Sequence, residues 1–299
     1  MNKAWKGITA TAIICFILGI ALMIVAVANG GSFERIRQNV SLSEYNKSFG
    51  VSDVKALDLN IGLGRLSIHP GDEFRVEAEN IAEDYFVCEL RGDTLVIEDR
   101  WTESWALNFA RGLSFQSYEP RVKVYVPESV KLRNSEIRIS AGACNIDGLW
   151  AERLLVAVSA GSLRGVDIRV DEFISNISAG ECRIESLITK KATASISAGE
   201  LHIAGVYANQ FQLEQSAGAA FISGDILDRG KFDCGIGRIE VELEGRPLNK
   251  YEISVEVDIG SVSVNGNRYS GNVKTSLGSG DSKIELNCNV GEIVMSAME

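Results

Sequence analysis

Ile177-Ser178-Ala179-Gly180-Glu181-Cys182-Arg183-Ile184 is followed, 19 residues on, by Ile196-Ser197-Ala198-Gly199-Glu200-Leu201-His202-Ile203. The same unit recurs on both sides, so that Gly142, Gly161, Gly180, Gly199, Gly218 and Gly237 stand at a constant spacing of 19. Five of the six close the tripeptide Ser-Ala-Gly, opened by Ser140, Ser159, Ser178, Ser197 and Ser216; the sixth closes Gly235-Ile236-Gly237. A fixed period of this length marks repeats that cannot bury an apolar face alone and must stack on their neighbours.

Around each glycine the apolar residues alternate. Ile139, Val158, Ile177 and Ile196 lie three before it, Cys144, Leu163, Cys182 and Leu201 two after it, and Ile146, Ile184, Ile203 and Ile222 four after it. Alternation of this kind is that of a half-buried strand. The phase slips by one residue at the glycine, and a one-residue slip reverses the face. The chain therefore needs a corner there, with glycine as its permissive backbone and the adjoining alanine expected on the narrow inside of the bend. Small or polar pairs such as Asp147-Gly148, Ala204-Gly205 and Ser223-Gly224 supply a further turn in each repeat.

Nineteen extended residues cover about 60 Å, one circuit of a narrow coil. The fold expected is all-β: a parallel β-solenoid of 19-residue rungs over 132–299. The Leu-x-x-Leu-x-Leu-x-x-Asn signature of a leucine-rich repeat is absent, whereas an antiparallel sandwich stays open because short apolar runs do not fix strand direction. Ile259-Gly260, Leu277-Gly278 and Val290-Gly291 restate the motif downstream, and Leu59 to Ile68 is a degenerate first copy. Residues 53–131 read as an irregular N-terminal β region with strands near Phe74–Ala78, Thr94–Ile97 and Val122–Val126, and atypical ends are what a stack needs to shield its core.

Ahead of the coil, Gly7 to Ala28 is a 22-residue uncharged run, long enough to cross a hydrocarbon core of about 30 Å as a helix. The reading is one N-terminal transmembrane helix over 7–29, with 1–6 as a cytoplasmic stub and 30–52 as a spacer. Lys3 and Lys6 then lie inside, and the body lies outside the cell membrane as a single-pass protein. A cleaved signal peptide is the competing reading, given Ala26-Val27-Ala28; both export the body. Beyond this run stand 28 basic residues against 40 acidic ones, a net charge of −12, which excludes nucleic acid as a partner. Cys88, Cys144, Cys182, Cys234 and Cys288 show no Cys-x-x-Cys spacing and read as small core hydrophobes.

The Leu-Asn-Ile-Gly-x-Gly-x-Leu-x-Ile opening copy, the strand ending at Pro127 and the serial Ile-Ser-Ala-Gly-x-x-x-Ile units resemble a bacterial family of β-strand-repeat proteins labelled adhesins of unknown function. The resemblance covers roughly residues 50–295 and implies a membrane-anchored, extracytoplasmic module, adhesive, scaffolding or envelope-sensing, with an envelope protein or glycan as partner. It carries over no catalytic residues.

Two constellations bear on function. Trp101, Trp105, Phe109, Phe115 and Tyr118 gather in the segment 101–118, outside the repeat; they read either as a cap over the solenoid flank or, as candidate binding residues, as an aromatic patch for a partner, a glycan or the membrane surface. Glu181 and Glu200 each follow a glycine, so stacked rungs bring two carboxylates to about 5 Å, the separation used by retaining glycosidases. They define the enzymatic alternative, a carbohydrate-active enzyme, against a charge ladder relieved by Arg164, Arg183 and His202. His69 and His202 lie in distant repeats and make no metal site; no cofactor is expected.

Overall fold

The computed structural model describes residues 42–100 and 119–298. Twelve strands form one sheet: β1 (Leu42–Phe49), β2 (Ala56–Gly71), β3 (Phe74–Ala82), β4 (Phe86–Arg91), β5 (Thr94–Asp99), β6 (Arg121–Pro127), β7 (Leu132–Pro247), β8 (Tyr251–Val257), β9 (Ser261–Val264), β10 (Asn267–Ser270), β11 (Val273–Leu277) and β12 (Ser282–Met298). β7 is a single strand of 116 residues that winds on itself rung after rung.

Uninterrupted winding is possible because the corners are made by single residues, not loops. From Gly142 the chain buries Cys144, Ile146, Leu149, Ala151, Leu154, Val156 and Val158 before reaching Gly161, and the same seven offsets are buried in the next three rungs. The alternation thus slips three times per rung: at the glycine, between Ile146 and Leu149, and between Ala151 and Leu154. A 19-residue period demands an odd number of slips, since strict alternation returns a residue to its own face only after an even number of steps.

The first corner is the glycine column, with φ between +129° and +142° from Gly142 to Gly237. Each glycine lies directly on the one before it. A Cβ at Gly161 would overlap the Gly142 carbonyl oxygen and lie 2.9 Å from its carbon, and the same holds for Gly180 on Gly161. The column extends past the regular repeat, with Gly142 on Gly64 and Gly291 on Gly237. Gly260 in turn stacks on Gly291, whereas Gly278 leaves the column and faces the Tyr251 carbonyl. The alanines before the glycines are half-buried or exposed, so they do not line the inside of the bend as expected; the glycine backbone alone makes that approach. The second corner is left-handed at Gly148, Asp167, Ser186 and Gly205, with φ of 51° to 67°. The third carries Glu152-Arg153, Asp171-Glu172 and Lys190-Lys191, cross-linked between rungs by Arg153–Glu172 (3.3 Å) and Lys190–Asp171 (3.1 Å).

The ends depart from sequence order in the same way. β2 lies between the first turn of β7 and an outer parallel rung made of β5 and β6. β12 lies between the last turn of β7 and an outer parallel rung made of β8 and β9. Antiparallel strands then close both ends: β3 on β6, β1 on β3 and β4 on β5 at one, β11 on β8 and β10 on β9 at the other. These short, charged, reversed strands cover edges that would otherwise template further stacking. Arg246 clasps the C-terminal end. It is ion-paired to Asp225 at 3.0 Å, donates to the Leu227 carbonyl at 3.1 Å and to Ser282 Oγ at 2.9 Å, and lies over the Tyr251 ring.

Two expectations are corrected. The transmembrane helix over 7–29 is not part of the observed fold: the described residues are all-β apart from two 3₁₀ turns, and no helix among them is long and apolar enough to cross a membrane. Residues 7–29 themselves lie outside the described residues. Within the segment read as a spacer, residues 42–49 form β1, whose Tyr45 and Phe49 pack on the core.

The stack makes a sharp prediction. Gly180→Ala should lower stability by more than about 3 kcal/mol in urea unfolding, because the Cβ meets fixed backbone as well as an unfavourable φ. Gly92→Ala, at φ 64° with nothing within 4 Å, should cost only about 1 kcal/mol.

Candidate functional site

The two glutamates of the enzymatic alternative sit on adjacent rungs, on an open, exposed face. Glu181 is engaged by Arg183 of its own rung, with Oε1 3.2 Å from Nη2. Arg164 reaches Glu185 at 3.5 Å, and His202 stacks on Phe221 at 4.7 Å. Neither described cleft is lined by Glu181 or Glu200. The open face offers the pair no cleft in which to enclose a glycosidic bond, and of the basic column expected to relieve it only Arg183 reaches a member, Glu181. The serine column is exposed as well.

The aromatic segment 101–118 lies outside the described residues, but its two attachment points do not. β5 pairs with the first half of β2 and β6 with the second half, and the Arg65 amide donates to the Pro120 carbonyl at 2.8 Å. Pro120 also crowds the Cβ position of Gly64. The last residues of β5 and the start of β6 thus flank the glycine corner of the outermost N-terminal rung.

The larger of the two described clefts lies elsewhere, along the second corner. β2 and β6 stop in register at Gly71 and Pro127, whereas β7 continues past Gly148 onto a third face. The step left between them is a groove of about 860 Å³, lined by Pro70, Val126, Pro127 and Glu128 on one side and by Trp150, Asp167, Arg169 and Ile188 on the other. Trp150, Arg169, Ile188 and Tyr207 occupy one position, eight residues after the glycine, on four successive rungs. All are exposed: Trp150 46%, Ile188 45% and Tyr207 50%. Each stands between two buried neighbours, as Trp150 does between Leu149 and Ala151, so the strand itself aims them outward.

Two of the carboxylates lining the groove are already partnered. His69 Nδ1 lies 2.9 Å from Asp147. Asp171 is bound by Lys131 at 2.8 Å and Lys190 at 3.1 Å, and these ammonium groups, Lys131 first, hold its carboxyl below the usual range. The internal thiols offer no chemistry. Burial pushes Cys144 and Cys182 up to about 12, which keeps them protonated and inert. Among the described residues no group of three His, Cys, Asp or Glu side chains is placed to hold a metal.

With fold and groove in view, the family is plain. The chain belongs to the Toastrack DUF4097 family, whose model matches residues 54–297. Solved structures that the chain is similar to include a "putative cell adhesion protein" from Clostridium sporogenes, at 15% identity over 86% of this chain and 100% of that one, TM-score 0.31. Others are a "putative adhesin" from Bacteroides fragilis (10%, 86% and 98%, TM-score 0.42) and a "putative lipid binding protein" from Parabacteroides distasonis (15%, 85% and 96%, TM-score 0.41). No curated protein matches the chain.

Sequence reasoning missed the groove. The signal available was Trp150, a large apolar residue on the outward phase of an alternating strand, repeated by Ile188 and Tyr207 at the period of the stack.

Asp171 supplies a check on the groove's electrostatics. Its depressed pKa means its contribution to stability is present above the unfolded carboxylate value and is lost as pH falls through the lower folded value. Carboxyl carbon shifts followed by NMR should show Asp171 titrating below about 3.9, and Lys131→Ala should move that midpoint upward; an unmoved midpoint would remove the lysine from its environment.

Proposed function

We propose that the chain is a non-enzymatic, adhesin-like module outside the cytoplasm, and that it recognises an envelope protein or glycan through the groove bearing Trp150, Arg169 and Ile188. The observation that carries this reading is the exposed ladder itself. Binding energy concentrates in a few aromatic and arginine side chains seated in concavities, and here a tryptophan, an arginine and an isoleucine line one groove. Membership of a family resembling adhesins agrees with it. What supports export is the uncharged run 7–28 behind Lys3 and Lys6, which has the composition of a secretory leader.

The test is binding of the tagged full chain to an envelope fraction. Trp150→Ala truncates a half-exposed side chain, so the melting temperature should stay within a few degrees, while envelope binding should weaken by about 30-fold or more, a hot-spot loss of about 2 kcal/mol. Unchanged binding would remove the groove from the account. Protease added to intact protoplasts should degrade the β-region; full protection would overturn its export.

A further inference from the structure

Resting on the groove as the binding surface, we propose that its occupant is an amphipathic α-helix of a partner protein. The helix lies along the stack, with an apolar stripe on Trp150, Ile188 and Tyr207 and basic residues beside Glu128 and Asp167. Spacing selects the helix. The ladder residues are one rung apart, about 4.8 Å, and one helical turn rises 5.4 Å. Three rung steps cover about 14 Å and three turns about 16 Å, so one helix residue per turn stays over one ladder residue per rung, apolar over Trp150, Ile188 and Tyr207 and polar over Arg169. A strand presents same-face residues about 6.7 Å apart and drifts out of step by about 6 Å over the same three steps.

β2 pairs with β7 only as far as Ile146, so the edge of the first turn of β7 beyond Gly148 faces the step, and a peptide that adds there as a strand is the rival the alternating peptide below tests. The ladder is fixed by packing, since its neighbours Leu149, Ala151, Leu187 and Thr189 are buried, which gives a rigid surface of the kind that takes a helix in a groove.

Charge gives the partner its sign. Asp171 is satisfied by Lys131 and Lys190. Glu128, Asp167 and the His69-bonded Asp147 remain along the rim against Arg169. Asp167 holds its carboxylate at the left-handed corner, φ 51°, a conformation that aspartate tolerates. A helix with lysine or arginine flanking its apolar stripe complements that rim.

The test titrates the full chain with three fluorescein-labelled peptides of roughly 18 residues, about five turns. One is a leucine/lysine peptide patterned as an amphipathic helix, one the same composition in strict alternation, and one the helical pattern with glutamate for lysine. The helical leucine/lysine peptide should bind at least about 10-fold more tightly than either control. Trp150→Ala and Ile188→Asp should each weaken it by a similar factor with melting unchanged. Equal binding of the alternating peptide, or indifference to both variants, overturns the proposal. If the peptide fails while Trp150→Ala still abolishes envelope binding, the groove stands and the helical occupant falls. Binding of cell-wall oligosaccharides that Trp150→Ala removes would make the occupant a glycan.

Discussion

The close approach of glycine to glycine governs the rest of this structure. A parallel coil with one circuit per 19 residues must turn sharply without interrupting its hydrogen-bonded ladder, because a loop at each corner would break the rung. At the first corner the solution is a positive φ combined with backbone-on-backbone packing, and only glycine satisfies both. Once Gly161 sits on Gly142, the register of every residue in those rungs follows, and with it the burial of Cys144 beneath Leu163 and Cys182. The apolar core is a consequence of the corner as much as its cause.

Order along the stack also decides where recognition can occur. A repetitive face presents the same chemistry on every rung, and the serine column and the Glu181–Arg183 ladder show how solvated and uniform such a face becomes. Concavity arises only where the repeat is broken. β2 and β6 leave the stack at the second corner to form the N-terminal cap, and the third face of β7 then stands proud of them. The groove is therefore a by-product of capping, which a solenoid needs in any case.

Much of this was legible in the sequence, and the remainder was hidden for definable reasons. The glycine spacing and the alternation around it are local, so they gave the rung length, the inward residues such as Ile177 and Leu201, and the corner. The odd period itself required an odd number of slips; the one at the glycine and the turn at Asp147-Gly148 and Ala204-Gly205 were evident, but in the rungs between them the second corner is carried by Asp167 and Ser186, and the third by ordinary charged pairs. The interleaving of β2 and β12 was not legible, because which rung lies beside which is a long-range choice made by chain closure. The same holds for Trp150: its strand phase was readable, but the missing wall opposite it belongs to residues 70 and 127. For Glu181 and Glu200, likewise, rung spacing predicts proximity but not enclosure.

In-register stacking can be measured directly. Spin labels at Ser140→Cys and Ser216→Cys, on exposed positions four rungs apart, in a chain with Cys15 and Cys88 replaced by serine, report the distance along the stack by pulsed electron resonance. Four rung steps predict a single narrow distribution near about 19 Å. A broad distribution, or one centred beyond about 30 Å, would show that the repeats do not stack glycine on glycine and would contradict the account.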